Sequence, residues 1–297
     1  MLTIPARAKI NLCLDVVSRR PDGWHDIDTL LAAIDWHDLV GVELGAPEPA
    51  VRVTGPAASG VPRDGDSPAN LAVRAAAALP DAARRIAGRE PPPLRVWLDK
   101  HLPAAAGLGG GSADAAAVLR AGAALLVRRD IVLGPDVLER IAGDLGSDVP
   151  ALLAGGLVRA RGRGDALTRL AFAPLHLVVT HIASGSTPEA YAALRQDEMG
   201  AGRVDAAARA LDAGSGLPPA VLGSALEPAA LRANPDIAAG IERLRDSDRT
   251  VAWHMTGSGG AYFTIVGDAI AAAGLANRVR EAGFTARACR TVAAPPP

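Results

Sequence analysis

Residues 4 to 16 alternate, with Ile4, Ala6, Ala8, Ile10, Leu12 and Leu14 on one face and Lys9, Asn11, Cys13 and Asp15 on the other. A period of two predicts a half-buried strand. The segment "RRPDGWHD" follows as a turn with Pro-Asp-Gly punctuation. "LVGVELG" and "PAVRVTG" read as short strands, "NLAVRAAAALPDAARRIAG" as a helix, and "PLRVWLDKHLP" as a strand. From Ser112 to Val127 the apolar positions Ala115, Val118, Leu119, Leu125 and Leu126 predict a helix, and "GPDVLERIAGDLG" predicts another before "SDVPALLAGG".

Beyond it, "GGLVRARGRGDALTRL" reads as strands joined by turns and marks a boundary near residue 160. The remainder predicts a strand at "LHLVVTHI", several helices, a "HMTGSGGAYFTIVG" unit, a helix at "AIAAAGLANRVREAG" and a strand at "FTARACRTV". The trailing "APPP" is expected to be disordered. Strands before and between helices in both halves predict an α+β protein of two domains, 1–160 and 161–297.

Composition narrows the function classes. The chain has 297 residues, 49% hydrophobic and 21% charged, which suits a globular protein. A net charge of −1 argues against an electrostatic binder of nucleic acid or of an anionic membrane. Cys13 and Cys289 are far apart and offer neither a disulfide framework nor zinc-ligand spacing, as expected of a reducing cytoplasm. No secretory h-region is visible, and the longest charge-free stretches are broken by His, Pro, Ser and Gly, so no membrane span is expected.

The candidate chemistry begins at "KHLPAAAGLGGGSADAAAVLRA", where four glycines in positions 107 to 111 meet an alanine-rich helix. A strand, a glycine loop and a helix N-terminus form an anion site, because backbone N–H groups turn toward the ligand and the helix adds partial positive charge. A tight turn alone would not need so many glycines, each costly in conformational entropy. Gly111-Ser112-Ala113 lacks the Gly-Lys-Ser/Thr of a Walker loop, and Ser112 occupies the third-glycine position of a dinucleotide fingerprint.

Other residues say less when read singly. Lys9 reads as an exposed lysine on a half-solvated sheet, Asp148 as a helix cap, and "MTGSGGAYF" as a turn. Trp24 and His25 follow the Pro-Asp-Gly turn and are expected to be accessible, a pair that also suits a planar base.

In order along the chain, "AKINL", "DGWHDIDTL", "LPAAAGLGGGSADAAAVLRA", "LGSDVPALLAGG" and "MTGSGGAYF" resemble the GHMP kinase superfamily over about residues 5 to 290. The resemblance implies a ribosomal-protein-S5-like N-terminal domain and a ferredoxin-like C-terminal one. It also implies transfer of the γ-phosphate of ATP, with Mg²⁺, to an alcohol. Ala-Lys-Ile-Asn followed by Asp-Gly-aromatic-His is particular to one branch of non-mevalonate isoprenoid synthesis, whose small-molecule substrate is a cytidine diphosphate-linked methylerythritol phosphorylated on its 2-hydroxyl. By resemblance, Asp148 is the general base and Lys9 lies beside it. The loop Pro103-Ala104-Ala105-Ala106-Gly107-Leu108-Gly109-Gly110-Gly111-Ser112-Ala113 holds the ATP phosphates, and Lys100 serves the nucleotide side. Asn11 and Thr187 serve the substrate, Trp24 and Tyr191 sandwich the cytosine, and His25 reads its edge. Ser112 is a candidate to approach the metal, whose protein ligands stay open.

Three positions depart from the pattern: Arg7 replaces a proline, Trp24 a tyrosine, and Ser224-Ala225 an Asn-Asp pair before Leu226-Glu227. The rival readings are another kinase of the superfamily, acting on homoserine or mevalonate, and a non-catalytic nucleotide-binding relative. The expected protein is a cytoplasmic monomer or weak homodimer, with no nucleic acid or membrane partner.

Overall fold

The computed structural model describes every residue except 46–49, 62–68, 89, 172 and 295–297, so most of the expected C-terminal tail lies outside the described residues. The chain divides into two compact units whose segments interleave along the sequence. One comprises 1–8, 37–104 and 109–153; the other comprises 9–36, 105–108 and 154–297. The interleaving follows from two long strands, β1 (Leu2–Arg19) and β2 (His25–Leu44), each of which contributes residues to both units.

In the first unit the C-terminal half of β2 pairs antiparallel with β4 (Leu94–Asp99), and β3 (Ala50–Thr54) pairs parallel with β4. Four helices complete the unit: α1 (Leu71–Ala87), α2 (Gly110–Val127), α3 (Pro135–Leu145) and α4 (Val149–Ala154), whose last residue is assigned to the second unit. Asn70 caps α1 by accepting the Ala72 N–H at 3.0 Å. The alanine run of α2 has a packing reason. Ala115, Ala116, Ala117 and Val118 are buried in one core with Ala75, Ala76, Leu79 and Ala83 of α1. A Cβ built on Gly122 would stand 2.5 Å from the Leu79 side chain, so small residues set the approach of these helices. By length and composition α2 is apolar enough to cross a membrane, but 61% of it is buried in this core.

The second unit carries a four-stranded antiparallel sheet in the order β11 (Thr285–Arg290), β7 (His176–His181), β10 (Ala261–Val266), β9 (His254–Met255). The N-terminal half of β2 pairs with β5 (Leu157–Gly162), which pairs with β6 (Ala166–Leu170). Residues Cys13 and Leu14 of β1 pair with the two-residue strand β8 (Gly223–Ser224). Helices α5 (Thr187–Ala192), α6 (Arg203–Asp212), α7 (Glu227–Ala233), α8 (Pro235–Ser247) and α9 (Ala269–Glu281) complete it.

The expected half-solvated β1 is corrected. Its polar face is also buried, with Lys9 5%, Asn11 3%, Cys13 0% and Asp15 5% exposed. The polar groups have partners that make this burial tolerable: Asp15 accepts the Val204 N–H at 3.2 Å, and Asn11 is satisfied as described below. Burial pushes the thiols of Cys13 and Cys289 up to about 12, so both are inert at neutral pH.

Candidate active site

The glycine stretch changes character along its length. Ala105–Leu108 belong to the second unit, where Ala106 and Leu108 are buried and the backbone is pinned. The Gly185 N–H donates to the Ala105 carbonyl and the Lys9 N–H to the Leu108 carbonyl, each at 3.0 Å. Gly107 has φ +76°, and a Cβ there would lie 2.9 Å from the carbonyl oxygens of Thr256 and Gly259. Only glycine fits.

Gly109–Ala113 belong to the first unit and begin α2. Gly109 is the N-cap at φ 69°, and no side chain caps the first turn, so N–H groups at the helix start face outward without a side-chain acceptor. A Cβ on Gly111 would meet nothing within 4 Å. An uncapped N-terminus beside open space suits a phosphate, whose oxygens accept from such donors. Pro103 and Ala104 are half-buried before it, and Ser112 is half-buried in the first turn.

Lys100 has a different setting. Its side chain is 3% exposed and bonds both Asp38 and Asp114, with Asp114 Oδ2 at 2.5 Å from Nζ. Asp38 Oδ1 also accepts the Leu102 N–H at 2.8 Å and the His101 N–H at 2.5 Å, fixing the entry to the loop. Asp148 stands at the head of α4, half-buried, its carbonyl accepting the Leu152 N–H at 3.1 Å. That bond uses only the Asp148 main chain.

In the second unit several sequence candidates come together. Lys9 Nζ donates to Asn11 Oδ1 at 2.7 Å, and Asn11 Nδ2 donates to Thr29 Oγ1 at 2.8 Å. The Asn11 N–H donates to Thr256 Oγ1 at 2.7 Å. A Cβ on Gly257 (φ +63°) would lie 3.4 Å from Lys9 Nζ and 3.4 Å from the Gly107 carbonyl oxygen. The "MTGSGGAYF" turn therefore packs against Lys9, Asn11 and the glycine loop. Ser258 Oγ is 2.6 Å from Thr187 Oγ1, which adds Thr187 to the cluster. Thr29, Thr256 and Ser258 had no individual signal in the sequence; their partners are far away along the chain.

Tyr191 lies four residues after Thr187 in α5, on the same helical face. Its ring is 4.9 Å from that of His25, tilted by 32°. Burial, with a contribution from Arg19, holds the His25 pKa below its ordinary value, so the imidazole is neutral at pH 7 and can both donate and accept. Trp24 is 54% exposed, and one face of its indole is covered by Arg163, 4.3 Å from the ring centre. Ser224, Ala225 and Glu227 line a cavity of about 510 Å³ with Arg203 and Arg245. Glu227 pairs with Arg245 there at 2.8 Å.

Residues 70–156 match the GHMP kinases N-terminal domain family. Across the chain, a 4-diphosphocytidyl-2-C-methyl-D-erythritol kinase from Pelotomaculum thermopropionicum is 38% identical over 286 residues, 94% of each chain. The namesake from Moorella thermoacetica is 37% identical over 291 residues, 95% of each. The chain belongs to the 4-diphosphocytidyl-2-C-methyl-D-erythritol kinase family.

The fold agrees. A crystal structure of 4-(cytidine 5'-diphospho)-2C-methyl-D-erythritol kinase superposes with a TM-score of 0.77 at 32% identity, covering 98% of this chain and 100% of the other. A homoserine kinase from Cytophaga hutchinsonii shares the fold at 17% identity, with a TM-score of 0.67 and coverage of 97% and 95%. The α+β expectation is thereby established as the GHMP kinase fold, and this kinase family uses ATP as phosphate donor. No cluster of three His, Cys, Asp or Glu side chains among the described residues could hold a metal.

Proposed function

We propose that this kinase transfers the γ-phosphate of ATP to the 2-hydroxyl of 4-diphosphocytidyl-2-C-methyl-D-erythritol. The observation that carries the choice of acceptor is the His25–Tyr191 ring pair, held in the same unit as the Lys9–Asn11–Thr187 cluster. A neutral imidazole against an aromatic ring suits a cytosine, whose edge offers an amino donor and two acceptors. Homoserine and mevalonate have no ring to place there.

In this reading residues 1–160 supply the nucleotide loop and the base, and residues 161–297 complete the substrate side. The uncapped start of α2 and the backbone of Gly109–Ser112 receive the ATP phosphates. Asp148 accepts the hydroxyl proton as the substrate oxygen attacks the γ-phosphorus; the bond to the β-phosphate oxygen breaks, and ADP leaves. Lys9, oriented by Asn11, offsets the negative charge that develops on the transferred group. Ser112 would offer a side-chain oxygen to a Mg²⁺ ion carried by the phosphates, and that ion would supply further charge neutralisation. Trp24 and Tyr191 contact the two sides of the base, and His25 bonds its edge.

The test is ADP formation by the purified protein with 4-diphosphocytidyl-2-C-methyl-D-erythritol, with homoserine and with mevalonate. Turnover with the cytidine compound alone is expected. Preference for homoserine or mevalonate, or no turnover with any acceptor, overturns the reading.

A further inference from the structure

The turn between β5 and β6 brings Arg163 beside Trp24, and its construction shows why. Gly162 at the end of β5 pairs with Ile27 of β2, so the residue after Gly162 emerges alongside those that precede Ile27. Gly162 (φ +70°) and Gly164 (φ +99°) bend the chain, and Asp165 Oδ1 accepts the Arg163 N–H at 3.0 Å. On the other side, Asp22 Oδ1 accepts the Trp24 N–H at 3.1 Å. Two turns are thus tied down by their own aspartates and bring a guanidinium over an indole ring, 4.3 Å from its centre.

The charges around this contact are unevenly matched. Arg20 bonds Asp26 at 3.0 Å and Asp22 at 3.3 Å, so one guanidinium serves both neighbouring carboxylates. Among the described residues no carboxylate lies within 4 Å of the Arg163 guanidinium; the acidic group it acts on is Asp22, whose carboxyl it helps to hold below the ordinary value, against burial, together with the Trp24 N–H and Arg20. A guanidinium stacked on an aromatic plane keeps its in-plane N–H groups available, and their fork matches the oxygens of a phosphate. Arg19 adds a further positive charge near His25.

We infer that Arg163 is a specificity-determining residue of the acceptor site: stacked on Trp24, it binds the diphosphate of a nucleoside diphosphate substrate whose base lies against the aromatic residues. This rests on the cytidine diphosphate reading above and adds to it the group that separates a diphosphate ester from a bare nucleoside. The indole holds the guanidinium in place, so little side-chain entropy is lost on binding. The phosphate oxygens then receive charge-assisted hydrogen bonds at a surface where ordinary hydrogen bonds compete poorly with water.

The test compares wild type, Arg163→Gln and Arg163→Lys. Measured quantities are the KM for the cytidine diphosphate substrate, the KM for ATP, and inhibition by CDP and by cytidine. Expected for Arg163→Gln is an acceptor KM raised about tenfold or more, with kcat and ATP KM within about twofold, since a charge-assisted bond is lost at one ligand only. CDP weakens by the same factor, cytidine stays within twofold, and Arg163→Lys recovers part of the loss. Equal weakening of CDP and cytidine overturns the proposal, because Arg163 then only supports the indole. An unchanged acceptor KM overturns it too. If the wild type turns over the cytidine substrate in either case, the acceptor reading survives; if wild type binds neither CDP nor cytidine, both fall. Arg163 is exposed, and thermal unfolding of each variant checks that the fold is retained.

Discussion

Lys100 and Asp114 meet in the interior of the first unit, Nζ 2.5 Å from Oδ2, with Asp38 as a second carboxylate on the same ammonium. One cation thereby connects the entry to the glycine loop, through Asp38 and the Leu102 N–H, with the first turns of α2. Removing it leaves two buried carboxylates unpaired. Lys100→Met is expected to cost about 3–5 kcal/mol of stability in urea unfolding at pH 7. A loss under 1 kcal/mol would show that the cluster contributes nothing to the unit.

The same cluster predicts a pH dependence. Burial, reinforced by Asp38 and opposed by Lys100, raises the Asp114 carboxyl from 3.8 to about 7. An acid whose folded pKa lies above its unfolded one stabilises the fold only while protonated. That contribution is complete below pH 3.8 and lost as pH rises through about 7. Asp114→Asn removes the titration, so its melting temperature should vary less between pH 4 and pH 7 than that of the wild type. Parallel Tm–pH curves for the two proteins would refute the assignment.

Asp148→Asn tests the base. If the carboxylate takes the hydroxyl proton, kcat should fall on the order of 10² or more while ATP still binds. A variant that keeps most of its turnover returns Asp148 to the role of a helix start.

The glycines predict opposite failures. Gly111 faces open space, so Gly111→Val should fold normally and raise the KM for ATP far more than that for the acceptor. Gly107 has no room for a methyl group, so Gly107→Ala should lose stability, read as a lowered Tm. The loop assignment fails if Gly111→Val binds ATP normally.

Trp24→Ala should weaken the cytidine substrate about tenfold to a hundredfold and leave ATP nearly unchanged, since a stacked base is worth roughly 1–3 kcal/mol. Trp24→Tyr keeps an aromatic face and should be nearly neutral. Equal losses for both nucleotides, seen in their KM values, would remove Trp24 from the base pocket.

Local features were legible in the residue order. The α1 and α2 helices, the turn at Pro21-Asp22-Gly23 and the open start of α2 depend on neighbours a few positions away. The long β2 was visible only in part, as "LVGVELG", because its first half mixes charged and apolar residues that are all drawn into a sheet. Lys9 looked exposed because its partners, Asn11 excepted, come from remote segments, and nothing around Thr256 marks it as the acceptor for the Asn11 N–H. Lys100 had a family signal for the nucleotide but none for Asp38, 62 residues earlier in the chain. Arg163 looked like one of many basic turn residues until the register of β5 on β2 carried it to Trp24.

The main chain of β2 at Ala33 and Ile34 is completed by residues near the other end of the sequence. The Val292 N–H donates to the Ala33 carbonyl at 2.9 Å, Thr291 bridges to Ile34, and Thr291 is in turn bonded to Leu175 through both main chain and hydroxyl. During synthesis, this part of β2 leaves the ribosome long before its partner exists. At about 5–20 residues per second the wait is on the order of ten to fifty seconds. The first unit draws on nothing beyond Leu153 and can close in that interval. A nascent chain therefore carries the whole first unit together with an unpaired strand edge, the kind of edge that templates pairing with another strand.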